Sequence, residues 1–183
     1  EACRQNLYWQ RKGFRRISMS VNVTPMTFAE NFEGSDILKN LREGIWDPNY
    51  LEVEITENTM YFSPESIRNR LNYLRSLGMS VALDDFGIAY SSLGRLHELP
   101  IDKIKIDRQF VVNLHEAQKG KNLFDGILNP GRSLGLKINV EGVETKEQAE
   151  FVKARGCDEI QGFYYHKPMP PEYVEILLRK EES

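Results

Sequence analysis

Cysteine and histidine are scarce in this sequence: two of the first, Cys3 and Cys157, and three of the second, His97, His115 and His166. The cysteines form neither a disulfide framework nor a metal-type spacing. Cys157 reads as a small buried hydrophobe just before a strand. The histidines lie off the predicted strand ends, so a Ser/His/Asp triad lacks its base and a zinc hydrolase lacks its ligands. A glycine-rich phosphate loop of either common spacing is also missing. No apolar run approaches the roughly 20 residues that cross a bilayer. The opening residues read as a polar, basic, amphipathic helix rather than a signal peptide. Excess positive charge is absent too: 24 Lys and Arg stand against 27 Asp and Glu, a net charge of −3. That balance excludes the strong basic field of a duplex nucleic-acid binder. A reducing, cytoplasmic setting is expected, and the cytoplasmic part of a membrane-anchored protein would carry the same signals.

What is present is a regular alternation. With 183 residues, 40% of them hydrophobic, the chain can bury the core of one domain. Strands are predicted at 17–23, 50–56, 80–84, 103–106, 137–141 and 159–164, each trailed by a helical pattern. The best-signed helix has Ser63 as cap, Pro64 in its first turn, Ile67, Leu71, Leu74 and Leu77 at helical spacing, and Gly78 as its stop. Thr145 and Gln148 form a capping box for another. Repeated β-then-α units imply a parallel sheet with right-handed crossovers. Length alone favours an open doubly wound sheet, because a closed eight-unit barrel takes about 250 residues.

Side-chain parity argues the other way. Ile17, Met19, Val21 and Val23, then Leu51, Val53 and Ile55, then Val81 and Leu83, Ile104 and Ile106, and Ile138 and Val140 share one parity. The other parity carries Ser18, Ser20, Asn22, Glu52, Glu54, Ser80, Ala82, Asp84, Lys103, Lys105, Asn139 and Glu141. Strands covered by helices on both faces are apolar at nearly every position. One-sided strands fit an α/β (βα)8-type, TIM-like barrel whose inner face turns polar near the carboxyl ends. Its short length makes it incomplete at the N-terminus, so residues 1–183 are expected to form one N-terminally truncated barrel domain.

The last inward residues are Asn22, Glu54, Asp84, Lys105, Glu141 and Gln161, with Asp85, Glu57 and Glu144 close by. So many carboxylates around one lysine raise one another's pKa. Divalent cations resolve the conflict, and oxygen donors without Cys or His suit Mg²⁺, Mn²⁺ or Ca²⁺ rather than zinc. Two ions about 3.5–4 Å apart would stabilise both the attacking and leaving oxygens of a phosphate displacement. Taken singly, Asp84-Asp85 is an ordinary solvated turn, Lys105 and Asp107 an exposed strand end, and Gly87 and Gly142 are what any short βα loop uses. Recurrence on five strands makes the constellation informative. The same strand-end chemistry also permits a Mg²⁺-dependent barrel of the enolase type with a lysine base, or a non-catalytic interaction scaffold.

Six motifs follow one another in order: Val21-Asn22-Val23-Thr24, Glu52-Val53-Glu54-Ile55-Thr56-Glu57, Asp84-Asp85-Phe86-Gly87, Lys105-Ile106-Asp107, Glu141-Gly142-Val143-Glu144-Thr145 and Gln161-Gly162-Phe163-Tyr164. Together they resemble the EAL-domain family of cyclic-di-GMP phosphodiesterases, over residues 1 to about 178. The resemblance implies a modified barrel that hydrolyses one phosphodiester of cyclic di-GMP to linear pGpG with two Mg²⁺ or Mn²⁺ ions. It implies Asn22, Glu54, Asp84, Asp85 and Glu141 as metal ligands. Lys105 would hold or deprotonate the attacking water, Gln161 would orient that water or a phosphate oxygen, and Glu144 would support the second metal. Glu57 would anchor the loop after Asp85, and Tyr164 or Tyr165 would stack on a guanine. It further implies a homodimer near the segment Phe86–Ser92 and upstream sensory or cyclase modules. The signature Glu-Ala-Leu and its arginine are absent, Glu1-Ala2-Cys3 being a false match. Ile88-Ala89-Tyr90 replaces the usual Thr-Gly-Tyr, and Val140 replaces alanine. A degenerate, cyclic-di-GMP-binding receptor domain is the alternative that these departures raise. The chain on its own is expected to be weak or inactive, and the intact domain active.

Overall fold

The computed structural model describes residues 1–24, 35–56, 59, 64–88, 96–112, 114 and 117–180. Ser63, most of the 91–96 segment and Glu57 lie outside them. Helix α1 (Ala2–Arg11) precedes strand β1 (Met19–Asn22). Helix α2 (Asp36–Arg42) and a 3-10 turn (Pro48–Tyr50) lead to β2 (Leu51–Thr56), then α3 (Pro64–Ser76) and β3 (Ser80–Phe86). Strand β4 (Lys103–Ile106) is followed by α4 (Gln109–Val112) and α5 (Ala117–Ser133). Strand β5 (Lys137–Val140), α6 (Lys146–Ala154), β6 (Glu159–Ile160) and α7 (Pro171–Lys180) complete the order.

The six strands form one parallel sheet in the order β1-β2-β3-β4-β5-β6. A doubly wound sheet reverses its order at a switch point. This one never does, so the open alternative that length favoured is excluded. The helices at the two ends of the chain meet: Trp9 Nε1 on α1 donates to Glu175 Oε1 on α7 at 3.1 Å. The Arg179 guanidinium lies 5.3 Å from the centre of the Phe14 ring. A sheet whose first and last helices touch is curled, which makes this an incomplete barrel.

The apolar parity faces outward into the helices. Val53, Ile55, Val81, Leu83, Ile104, Ile106, Ile138 and Val140 share a buried cluster with Ile67, Leu71 and Leu74 of α3, Phe124 and Leu128 of α5, and Ala149 and Val152 of α6. Helix ends follow local chemistry. The Thr145–Gln148 capping box opens α6 as expected, and Gly78, at φ +99, ends α3 while the Met79 amide donates back to Leu74 O. Two strands are shorter than their sequence patterns by more than one residue. Strand β1 starts at Met19 rather than at residue 17 because Asn6 Nδ2 donates to the Ile17 carbonyl at 3.1 Å. Strand β6 stops at Ile160 rather than at residue 164. The Tyr164 amide folds back to Val143 O, and those of Tyr165 and His166 to Gly162 O.

The polar parity is buried as well. Glu52, Glu54, Lys103 and Lys105 are all at most 7% exposed. They form two storeys. In the lower one, Lys103 Nζ on β4 lies 2.8 Å from Glu52 Oε2 on β2 and 2.6 Å from Glu159 Oε2 on β6. Ser20 and Ser80 donate hydroxyls to the same Glu52 carboxylate at 2.8 and 3.2 Å. Side chains from alternate strands meeting in one layer are the packing rule of barrel interiors. Here the layer is ionic where aliphatic residues are usual.

Burial pushes the Glu52 carboxyl up, but hydrogen bonds from Lys103 and Ser20 and the Lys103 charge outweigh it and hold it below its ordinary value of 4.5. Burial likewise pushes Lys103 down, and its bonds to Glu159 and Glu52 more than reverse that. The stabilisation from Glu52 is therefore fully present above pH 4.5 and lost as pH falls through the depressed value. Lys103→Met leaves a buried carboxylate without its cation and is expected to cost about 3–5 kcal/mol in urea unfolding at pH 7. That variant removes the Lys103 bond and charge that offset the burial of Glu52, so acidification toward pH 5 should narrow the gap to wild type. A gap constant across that range would show that the pair is not what stabilises this layer.

Candidate functional site

The upper storey lies one pleat nearer the carboxyl ends of the same strands. Glu54 stands two residues beyond Glu52 on β2, and Lys105 two beyond Lys103 on β4, so both pairs share the inner face. Lys105 Nζ lies 2.8 Å from Glu54 Oε1, 3.1 Å from Asp84 Oδ1 and 2.7 Å from Glu141 Oε1. Its three hydrogens match three carboxylates from β2, β3 and the end of β5. The Lys105 and Glu54 side chains are almost wholly buried, whereas those of Asp84 and Glu141 remain 16% and 22% exposed, so the cluster opens at the rim.

Burial alone would push the Lys105 ammonium down, but its bonds to Glu141 and Glu54 raise it well above the ordinary lysine value. In this arrangement Lys105 is held as an ammonium that donates to the three carboxylates. Burial pushes Glu141 above the usual carboxylate range. The Lys105 hydrogen bond and charge oppose that shift, and the charges of Asp84 and Glu54 reinforce it. Three acids sharing one cation leave a net charge of −2 in a partly dry cleft.

Local backbone places the rest. The register between β3 and β4 shifts between Leu83 and Phe86, an irregularity that re-aims side chains at a strand end. There Asp85 takes φ +56, the one positive value outside glycine among the described residues. Its amide donates to Asp84 Oδ1 at 3.0 Å. Burial and the charges of Asp84 and Asp107 raise its carboxyl, against Lys105. Asn22 ends β1 as the register partner of Glu54. Glu141 follows β5, its amide donating to Ile106 O at 3.0 Å, and the Gln161 amide donates to Val140 O at 2.8 Å. Gln148 Oε1 accepts from the amides of Glu144 and Thr145 at 2.8 and 3.0 Å, fixing the turn that carries Glu144.

Beside this cluster lies a cavity of about 500 Å³, and Glu141, Glu144 and Gln161 line it with Arg108, Phe163 and His166. Glycine is needed at two points of its wall. A Cβ on Gly142, at φ +68, would overlap the Arg108 side chain, and one on Gly162 would overlap the Val143 backbone. These glycines let successive loops pack closely, at Gly142 beyond the turn role expected of it.

Of the residues singled out in the sequence, Glu54, Asp84, Lys105 and Glu141 are in direct contact. Asn22 and Asp85 flank them, and Gln161 and Glu144 stand at the adjoining cavity. Glu57 lies outside the described residues. Tyr164 and Tyr165 form an exposed T-shaped pair, their ring centres 5.0 Å apart, while Phe163 lines the cavity. Arg108 and Phe163 were missed, although Arg108 directly follows one recognised motif and Phe163 lies within another. Among the described residues no three Asp, Glu, His or Cys side chains form a ready-made cation cage. The carboxylates converge on the Lys105 ammonium instead. No described helix is long and apolar enough to cross a membrane.

Comparison with known proteins agrees with this geometry. The bifunctional diguanylate cyclase/cyclic di-GMP phosphodiesterase MucR of Pseudomonas aeruginosa is 36% identical over 95% of this chain, which spans 25% of that protein. The crystal structure of the EAL domain of Mycobacterium smegmatis DcpA superposes with a TM-score of 0.90 at 32% identity, covering 98% of this chain and 81% of that one. The manganese/cy-diGMP complex of Klebsiella pneumoniae BlrP1 superposes with a TM-score of 0.74 at 27% identity, over 89% of this chain and 42% of that one. The chain spans about a quarter of the length of the curated relatives it matches. The family model of the EAL domain matches residues 1–168, and with six ordered strands bringing the motif residues to one rim, the chain belongs to the EAL domain family.

Proposed function

We propose that this chain is the main part of a single metal-dependent, cyclic-di-GMP-specific phosphodiesterase domain that cuts one phosphodiester to give linear pGpG. The observation that carries the proposal is the buried meeting of Glu54, Asp84 and Glu141 around Lys105, within a family whose named members act on this nucleotide. The donor chemistry suits a pair of Mg²⁺ or Mn²⁺ ions: oxygen ligands only, and a surplus of two negative charges for cations to neutralise. Asn22, Glu54, Asp84, Asp85 and Glu141 would hold them, with Glu54, Asp84 and Glu141 turning from Lys105 to do so. Bound there, the cations would supply Lewis acidity toward the phosphate and the attacking water.

The chain's own residues divide the remaining work. Lys105 holds or deprotonates the attacking water, since two cations beside it would lower its pKa once the carboxylates have turned away. Gln161 orients that water at the rim, and Glu144, fixed through Gln148, supports the metal side of the cavity. The cavity beside Glu141 takes a purine, with Phe163, Tyr164 and Tyr165 as the aromatic residues at hand. The length of the relatives supports upstream sensory or cyclase modules, and the loop after Asp85 is the proposed homodimer contact. A cytoplasmic location, including tethering to a membrane by other segments, fits this assembly.

In the longer protein that carries these residues, cyclic di-GMP should be converted to pGpG in Mg²⁺ or Mn²⁺, followed by ion-exchange chromatography. Lys105→Ala should lower the turnover about 10²–10³-fold, the usual loss for one donor at a reacting centre. Tight nucleotide binding with no turnover in wild type would instead select the receptor reading. Cation binding has its own readout. Mn²⁺ should raise the thermal midpoint of wild type in a concentration-dependent way, and Glu141→Gln should abolish most of that rise. No Mn²⁺-dependent rise in wild type would exclude cations as ligands of this cluster.

A further inference from the structure

Asn139 is a buried polar side chain that none of these roles uses. It lies on β5 as the register partner of Lys105 on β4, so the two side chains leave the same inner face as immediate neighbours. Asn139 is 7% exposed, and its Oδ1 is buried without a hydrogen-bond partner among the described residues. An aliphatic residue would fill the same space with no orphaned acceptor, and a buried carbonyl without a donor is costly. Its other ladder neighbour, Glu159, is drawn to Lys103 in the lower storey. Lys105 has no hydrogen to spare for it, since Glu54, Asp84 and Glu141 take all three.

That count changes when cations bind. Carboxylates that turn to a divalent ion withdraw from the ammonium, which then stands buried beside added positive charge and short of acceptors. The lysine stem is flexible enough to bring Nζ to the adjacent strand. We propose that Asn139 is a positioning residue for Lys105: the acceptor that takes one hydrogen of its ammonium once divalent cations have claimed Glu54, Asp84 and Glu141. This rests on the two-cation reading of the site. The amide is neutral, so it holds the ammonium without competing for the metals. It also keeps Lys105 within the lumen, facing the reacting centre.

The test uses the full chain, with Mn²⁺ affinity measured by calorimetry and the metal-free thermal midpoint measured alongside. Asn139→Val should leave the metal-free midpoint unchanged or raised, because it removes an orphaned acceptor. It should weaken Mn²⁺ binding about tenfold, the loss of one hydrogen bond to a charged group. A Mn²⁺-loaded crystal structure should show Lys105 Nζ hydrogen-bonded to Asn139 Oδ1. Unchanged Mn²⁺ affinity in Asn139→Val, or a loaded structure in which that bond is absent, overturns the role of Asn139 and leaves the two-cation reading standing. Wild type that binds no Mn²⁺ overturns that reading and the role of Asn139 with it.

Discussion

The ammonium of Lys105 and the three carboxylates around it depend on one another for their burial. A lone charge in such a place would be prohibitively desolvated, and Glu54, Asp84 and Glu141 without a cation would repel one another. Together they are stable, provided that β2, β3, β4 and the end of β5 stand at fixed distances. The outward aliphatic residues set those distances by locking each strand to its helices. The upper cluster is thus a product of the hydrophobic layer behind it.

Much of this was legible in the alternation of residues. The parity of Glu52 and Glu54 against Val53 and Ile55, and of Lys103 and Lys105 against Ile104 and Ile106, separated the inner face from the outer one before any coordinate was known. The order of motifs then identified the family. What stayed hidden were contacts between strands that are not neighbours. Nothing in the chain says that Lys103 reaches Glu52 on one side and Glu159 on the other, because that pairing depends on curvature and stagger. Asn139 stood in the polar parity but two residues short of the rim, where Glu141 carries the more telling carboxylate. Tyr164 and Tyr165 rested on the family resemblance alone, and the strand pattern ran on past Ile160. Backbone turning at Gly162 broke that pattern and left Phe163 at the cavity.

The glycines in the rim loops show how a bland signal can carry geometric weight. Gly142 was expected in any short βα connection, and Gly162 stood in a motif without a role of its own. In the fold they stand where Arg108 and the Val143 backbone leave no space for a side chain. Their smallness brings the connections after β4, β5 and β6 together, and it is this crowding that closes one wall of the cavity beside Glu141. Family membership supplies the chemistry to expect there, while the wall itself comes from three loops touching.

The two ionic storeys also proof-read assembly. Period-two alternation means that a strand slipped by one position presents the opposite set of side chains to each layer. For β2 or β4, such a slip would thrust Glu52 and Glu54, or Lys103 and Lys105, into the aliphatic sandwich and pull Val53 or Ile104 into the ionic lumen. A purely apolar interior would tolerate that error far better. The charged lining therefore selects a single alignment of the strands as the chain folds, before any ligand arrives.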